Sequence, residues 1–209
     1  MANQPARPML RKSVAVAGAT LVVLAVVLIV GNLGPGRSAD FWNIIRLDAD
    51  EARGFASLED LGSASDAVVL GRMSSSLTTR EVQGDAAEDV VTYVQVPLDV
   101  TETFRGRAHR TVTLEFLLNV PRSRVPAAID ELRSALPRDE IIVFLHEKQG
   151  DGEAGLYRAT AFAGLIARTA RSPVDTPLLE TPPDTESPIG AELSTWTSLE
   201  RLADRLRGS

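Results

Sequence analysis

The 209 residues include no cysteine. That excludes disulfides, thiolate metal sites, cysteine nucleophiles and a lipid-modified N-terminal cysteine. It does not argue against export, because an exported domain with a sufficient core needs no disulfide. Aromatic residues make up only 5% of the chain against 44% hydrophobic residues, so any core must be mostly Val, Leu, Ile and Ala. Lysine is nearly missing, with Lys12 and Lys148 alone among the 22 basic residues. Arginine in place of lysine, with abundant alanine and glycine, fits a high-GC bacterial genome. Arg7, Arg11 and Lys12 give the residues before Asn32 a charge of +3 with no acid among them, so the net −6 of the chain leaves −9 for the remainder. A domain that acidic repels nucleic-acid phosphates and anionic lipid, and no basic stripe offsets it, so nucleic acid is excluded as a partner.

The usual signatures of catalysis are also missing. "GDGEAG" (residues 150–155) has the spacing G-x-G-x-x-G, but a strand pattern follows it where a dinucleotide site needs a helix, and Asp151 and Glu153 oppose phosphate. It reads as a turn. Two histidines are present, His109 and His146. His109 sits among Arg105, Arg107 and Arg110 in a turn and reads as solvated. "HEKQG", beginning at His146, lacks the second histidine of a zincin helix. "DADE" (48–51) offers carboxylates to a hard cation but lacks the length and glycine of an EF-hand loop, and reads as a solvated acidic turn. No G-x-S-x-G elbow occurs, although a Ser-His-Asp triad is a spatial arrangement that sequence order does not reveal. No catalytic, cofactor-binding or metal-ligating residue is assigned, and no cofactor is expected.

One long hydrophobic run is present. "VAVAGATLVVLAVVLIVG" spans residues 14–31 within an uncharged stretch from Ser13 to Gly36. As a helix it is roughly 27 Å long, close to the thickness of a hydrocarbon core. The basic residues before it place the N-terminus in the cytoplasm and the bulk of the chain outside. The run exceeds the roughly 7–15 residues of a cleavable signal, and a cut after Ala39 would put Arg37 at the −3 position. It is read as a retained signal-anchor, with secretion after cleavage near 31–39 as the alternative. The expected division is a cytoplasmic basic segment (1–13), the transmembrane anchor (14–31), a juxtamembrane connector (32–56), a barrel domain (57–171), a Pro-rich acidic linker (172–196) and an amphipathic C-terminal helix (197–209). In the connector, Phe41, Trp42, Ile44, Ile45 and Leu47 suit either the membrane interface or packing on the domain.

Within 57–171 the apolar periods define the elements. Ser57 and Asp60 form a weak N-cap pattern. "AVVLGRM" (67–73) reads as a strand, and "TTREVQGDAAED" (78–89) as a polar loop. Val94, Val96, Leu98 and Val100 alternate with Tyr93, Gln95, Pro97 and Asp99, which marks a long half-buried strand with Pro97 at an edge or bulge. "TVTLEFLL" repeats that period from Thr111. Ile129, Leu132 and Leu136 change it to that of a helix, with Pro126 in the first turn and Pro137 as the stop. "EIIVFLHE" (140–147) reads as a strand buried on both faces. "LYRATAFAGLIAR" (156–168) reads as a last strand bent at Gly164.

The sequence therefore predicts a mainly β, β-rich α+β extracytoplasmic domain, a five-stranded OB-like barrel with a helix between strands 3 and 4. "SDAVVLGRM", "YVQVPLDVTETFRG", "TVTLEF" and "IIVFLHE" resemble the barrel of netrin-like domains, the inhibitor module of tissue inhibitors of metalloproteinases, and that of exported, membrane-anchored bacterial domains of this shape. In the inhibitor family an N-terminal cysteine chelates the protease zinc; without cysteine that mechanism does not carry over. After Arg171, "SPVDTPLLETPPDTESPIG" holds five prolines and reads as an arm with no core of its own, dispensable for folding. Thr197 and Glu200 match a capping box ahead of Leu199, Leu202 and Leu206, a short helix that docks on its own domain or on a partner. The expected function is a membrane-anchored extracytoplasmic, non-enzymatic interaction or ligand-binding module. The alternatives are a hydrolase with a dispersed active site and an accessory subunit of a membrane complex. The expected contacts are the membrane, through 14–31, and a protein partner.

Overall fold

Alternation of β-branched and polar residues produces the longest element of the domain, a 17-residue strand over Val90–Gly106. The structure, a computed structural model, describes residues 38–46, 55–83, 90–118, 120–150, 152–169, 172–178 and 188–208. Eight strands occur among them: β1 (Ile45–Arg46), β2 (Ala67–Met73), β3 (Thr78–Gln83), β4 (Val90–Gly106), β5 (Thr111–Leu118), β6 (Ile141–Glu147), β7 (Leu156–Ala159) and β8 (Leu165–Ala167). The helices are α1 (Ser38–Ile44), α2 (Leu58–Ser63), α3 (Val125–Ala135), α4 (Pro188–Ser194) and α5 (Leu199–Arg207).

Five strands close into a barrel. β2 pairs with β4, β4 with β5, β5 with β7, β7 with β6, and β6 returns to β2. Only the β5–β7 pairing in this ring is parallel. α3 lies between the third and fourth barrel strands, as its sequence period predicts, and it stops where Leu136 turns extended ahead of Pro137. β4 is long enough to serve two neighbours on one side, β2 from Leu98 onward and β3 up to Gln95. Pro97 falls between these two pairings, where its missing N–H leaves no ladder bond unmade.

Two apolar cores lie on either side of the barrel wall. Val94, Val96, Leu98, Leu114, Phe116 and Val143 fill the inside, and Ile129 and Leu132 of α3 join them. Phe41, Trp42 and Ile45 belong to this core too, so α1 and β1 pack on the domain. The outer core is built on Val68, Leu70, Ile142, Phe144 and Ile166 of β2, β6 and β8, and α2, α4 and α5 cover it. β6 contributes to both cores through alternate residues, which explains its unbroken apolar run.

Several expectations need correction. "TTREVQ" is not loop but β3, held by six residue pairs with β4. The last strand is broken into β7 and β8 by a 3-10 turn at Phe162–Gly164. The cap of α5 is Ser198, whose hydroxyl accepts the amide of Arg201 at 3.3 Å, one residue later than the Thr197 pattern. The segment read as a linker carries buried Val174 and Leu178, and Asp175 exchanges two backbone hydrogen bonds with Ala167. Within the same range α4 buries Ile189 and Leu193. The sequence offered too few apolar residues for an independent core, but these side chains complete a core that the barrel supplies. The run at 14–31 lies outside the described residues, as do 1–13 and the acidic 48–51. Among the described residues no helix is long and apolar enough to cross a membrane.

Candidate functional site

Two places on the barrel concentrate chemistry. The first is a charged cluster on the outer face of β3, β4 and β5. Strand register sets Arg80 opposite Tyr93, and Gln95 opposite both Thr78 and Glu115. The β6–β7 connection folds over them and brings in Lys148 and Glu153. Glu115 is fully buried. It accepts a forked pair from Arg80 (Nε 2.7 Å, Nη2 2.6 Å), a bond from Lys148 at 2.8 Å and one from Gln95 at 3.2 Å. Arg80 also reaches Glu153 at 2.8 Å, and Lys148 lies 3.2 Å from the same carboxylate. The Tyr93 ring takes Arg80 at 5.2 Å and Lys148 at 4.7 Å from its centroid.

Desolvation is the largest single influence on Glu115 and pushes its carboxyl up. The hydrogen bonds from Arg80, Lys148 and Gln95, with the charge of Lys148, outweigh it together and hold the group at about 2. Glu153 is likewise lowered: burial opposes ionisation, and Arg80 and Lys148 overcome it. Hydrogen bonding to Glu115 raises Arg80. The cluster matches two cations with two anions and satisfies its own hydrogen bonds. It presents no poised acid, base or nucleophile; what it does is fasten a surface connection to the sheet.

The second place is a cleft of about 330 Å³ between the outer barrel wall and the helices. Leu58, Val68, Phe104, Phe144 and Leu206 make its apolar surface. Its charged rim consists of Arg105, Arg205, Glu59 and Glu192. Gly62 of α2 lines the cleft, where a Cβ would make ordinary contacts with Phe144 at 3.7 Å and with Arg105 and Val68 at 3.9 Å. Glu192 is committed to the start of α2, where it accepts the Leu58 amide at 2.8 Å. Arg207 fixes the end of α5 beside the cleft through a forked pair to Glu102, both bonds 2.7 Å, above the Phe104 ring. Arg105 and Arg205 form no ion pair or side-chain hydrogen bond among the described residues. A smaller hollow of 220 Å³ on the other side of α5 differs in this respect. There Arg72 pairs with Glu140, Arg168 with Glu200 and Arg207 with Glu102.

The residues weighed from sequence fall elsewhere. "GDGEAG" is a turn, with Gly152 and Gly155 at φ of 74° and 77°, and its Glu153 belongs to the charged cluster. His109 is exposed in the β4–β5 connection. His146 Nδ1 lies 3.2 Å from Asp66. The neighbouring Ser65 hydroxyl bonds instead to Leu61 and Thr160, so these three groups do not form a relay. Among the described residues no group of three or more acids and histidines is placed to hold a metal. Sequence reading assigned none of the cluster or cleft residues. Glu115 on the polar parity of a strand carried the one available signal, and it pointed to solvent. Comparison with known protein families, curated proteins and solved structures returns no match to this chain.

Proposed function

We propose that this protein is a membrane-anchored extracytoplasmic binding module, with residues 14–31 as its signal-anchor and the barrel as a rigid frame for a ligand cleft. The observation that carries the binding reading is the cleft: an apolar surface between barrel and helices with a few charged groups in its lining is the usual form of a small-molecule site. Its 330 Å³ lies at the lower end of the range of roughly 300–1,000 Å³ for such sites. The strand order supports an OB-type barrel. Its first strand pairs with the second and the fourth, its third runs parallel to the fifth, and a helix joins the third to the fourth. Membrane anchoring rests on the uncharged run and the basic residues ahead of it.

Methyl-labelled full-length protein in nanodiscs tests the cleft. A neutral amphiphile, 1-octanol, should shift the Leu58, Val68 and Leu206 methyl resonances saturably. Gly62→Leu fills the space and should abolish the shifts while leaving the thermal midpoint close to that of the parent. Unmoved methyls in the parent protein would refute the cleft as a binding site. Intact mass of the membrane-extracted protein tests the anchor separately, since a mature chain beginning after Val30 would remove it.

A further inference from the structure

We propose that the cleft takes an amphiphilic anion, a carboxylate or phosphate head on an apolar body. This rests on the cleft being the binding site. The first ground is charge. The chain after Gly31 carries −9, and seven of the fifteen described arginines are tied to acids, among them Arg122 to Glu81, Arg124 to Glu131, Arg133 to Asp130, Arg168 to Glu200 and Arg207 to Glu102. Arg105 and Arg205 come from segments a hundred residues apart, line the same cleft and have no such partner among the described residues. Arg107, His109 and Arg110 follow Arg105 in the β4–β5 connection, all exposed and equally without an ion pair there. Two guanidinium groups without ion pairs, on one cleft of an otherwise acidic body, give an anionic head a place to dock. Two planar guanidinium groups also suit carboxylate and phosphate oxygens better than point charges do.

The two acids of the lining keep their charges, so an anionic head is held by direct contact with the two guanidinium groups rather than by a net positive field. Glu192 is used in holding α2, and Glu59 is exposed on the first turn of that helix, where the helix dipole favours it. The second ground is the lining. Val68 and Phe144 are buried, and Phe104 and Leu206 are half-buried. An inorganic anion would touch the arginines and leave this apolar surface wet. A ligand that satisfies both needs a charged head and an apolar body.

The experiment uses the same full-length protein in nanodiscs of zwitterionic lipid, with free probe concentrations measured. The probes are octanoate, octyl phosphate, octyltrimethylammonium, 1-octanol and inorganic phosphate, read at the Leu58, Val68 and Leu206 methyls. At least a tenfold tighter response to octanoate or octyl phosphate than to octanol is expected, and the tighter of the two identifies the head. The cation should bind no better than octanol, and inorganic phosphate should leave the methyls unmoved. Arg105→Gln with Arg205→Gln should bring the anions to the level of octanol and leave octanol unchanged. Equal affinity for octanoate and octanol, or undiminished anion binding in the double variant, would overturn the proposal while leaving an apolar cleft in place. Silence from all five probes would overturn the cleft reading beneath it.

Discussion

Protonating Glu115 would weaken four hydrogen bonds at once, two from Arg80 and one each from Lys148 and Gln95. Its carboxyl stands at about 2 against 4.5 unperturbed, a difference worth about 3 kcal/mol of folding stability. Because the folded value is the lower one, that stability is complete above pH 4.5 and is lost as pH falls toward 2. Glu153, lowered as well, adds to the same trend. Urea midpoints at pH 7, 4.5 and 2.5 should decline mainly across the lower interval. Glu115→Gln should flatten that interval and cost about 3–5 kcal/mol at pH 7, because it leaves Arg80 and Lys148 without their main counter-charge. A variant whose midpoint kept the parent's acid slope would show that the cluster does not govern it. Two glycines make an opposite pair. Gly62 lies in a helix where an added Cβ would meet its neighbours only at ordinary contact distance, 3.7 Å or more, so Gly62→Ala should stabilise by about 0.5–1 kcal/mol. Gly106 has a φ of +72°, and a Cβ there would lie 2.0 Å from the Asp66 carbonyl oxygen, so Gly106→Ala should lower the thermal midpoint sharply.

At the scale of the element, strand parity explains what could be read in advance. β4 and β5 put Val94, Val96, Leu98, Leu114 and Phe116 inside because apolar residues recur at every second position, and the barrel follows from that pattern. β3 escaped the same reading because "TTREVQ" has no apolar alternation; backbone pairing to β4 makes it a strand. The opposite face of β4 is polar without being fully solvated. Gln95 is half-buried and bonded to both Thr78 and Glu115 rather than to water. Val96→Asp should therefore be strongly destabilising, by several kcal/mol, as an unpaired carboxylate in the barrel core. Gln95→Asp should also exceed the roughly 0.5 kcal/mol of an ordinary surface change, since it sets a second carboxylate against Glu115. Denaturant midpoints rank the two, and a neutral Gln95→Asp would mean that the cluster tolerates added negative charge. The cleft was illegible for a different reason: its walls come from α2, β2, β4, β6, α4 and α5, and no local pattern announces a surface assembled from separate segments.

For the whole molecule, the question is how much of the chain the barrel needs. The outer faces of β2, β6 and β8 carry Val68, Leu70, Ile142, Phe144 and Ile166, an apolar surface more typical of an interface than of a solvated wall. Residues after Arg171 supply much of its cover: Val174, Ile189, Leu193, Leu199, Leu202 and Ala203 are all buried there. Full burial of a single Leu, Ile or Val side chain is worth about 1.5–3 kcal/mol. Losing the five among these would remove an amount comparable to the 5–15 kcal/mol that keeps an ordinary domain folded. Polar composition and prolines therefore do not make the C-terminal segment separable; it closes the second core and forms part of the cleft wall through Glu192, Arg205 and Leu206. A chain ending at Arg171 should lose its cooperative thermal transition and bind a dye for exposed apolar surface. Leu202→Asp in the complete chain should reproduce much of that loss by placing a carboxylate against the same face. A sharp transition near the parent midpoint in the shortened chain would instead show that the inner core alone sustains the barrel, with the helices as a removable cover.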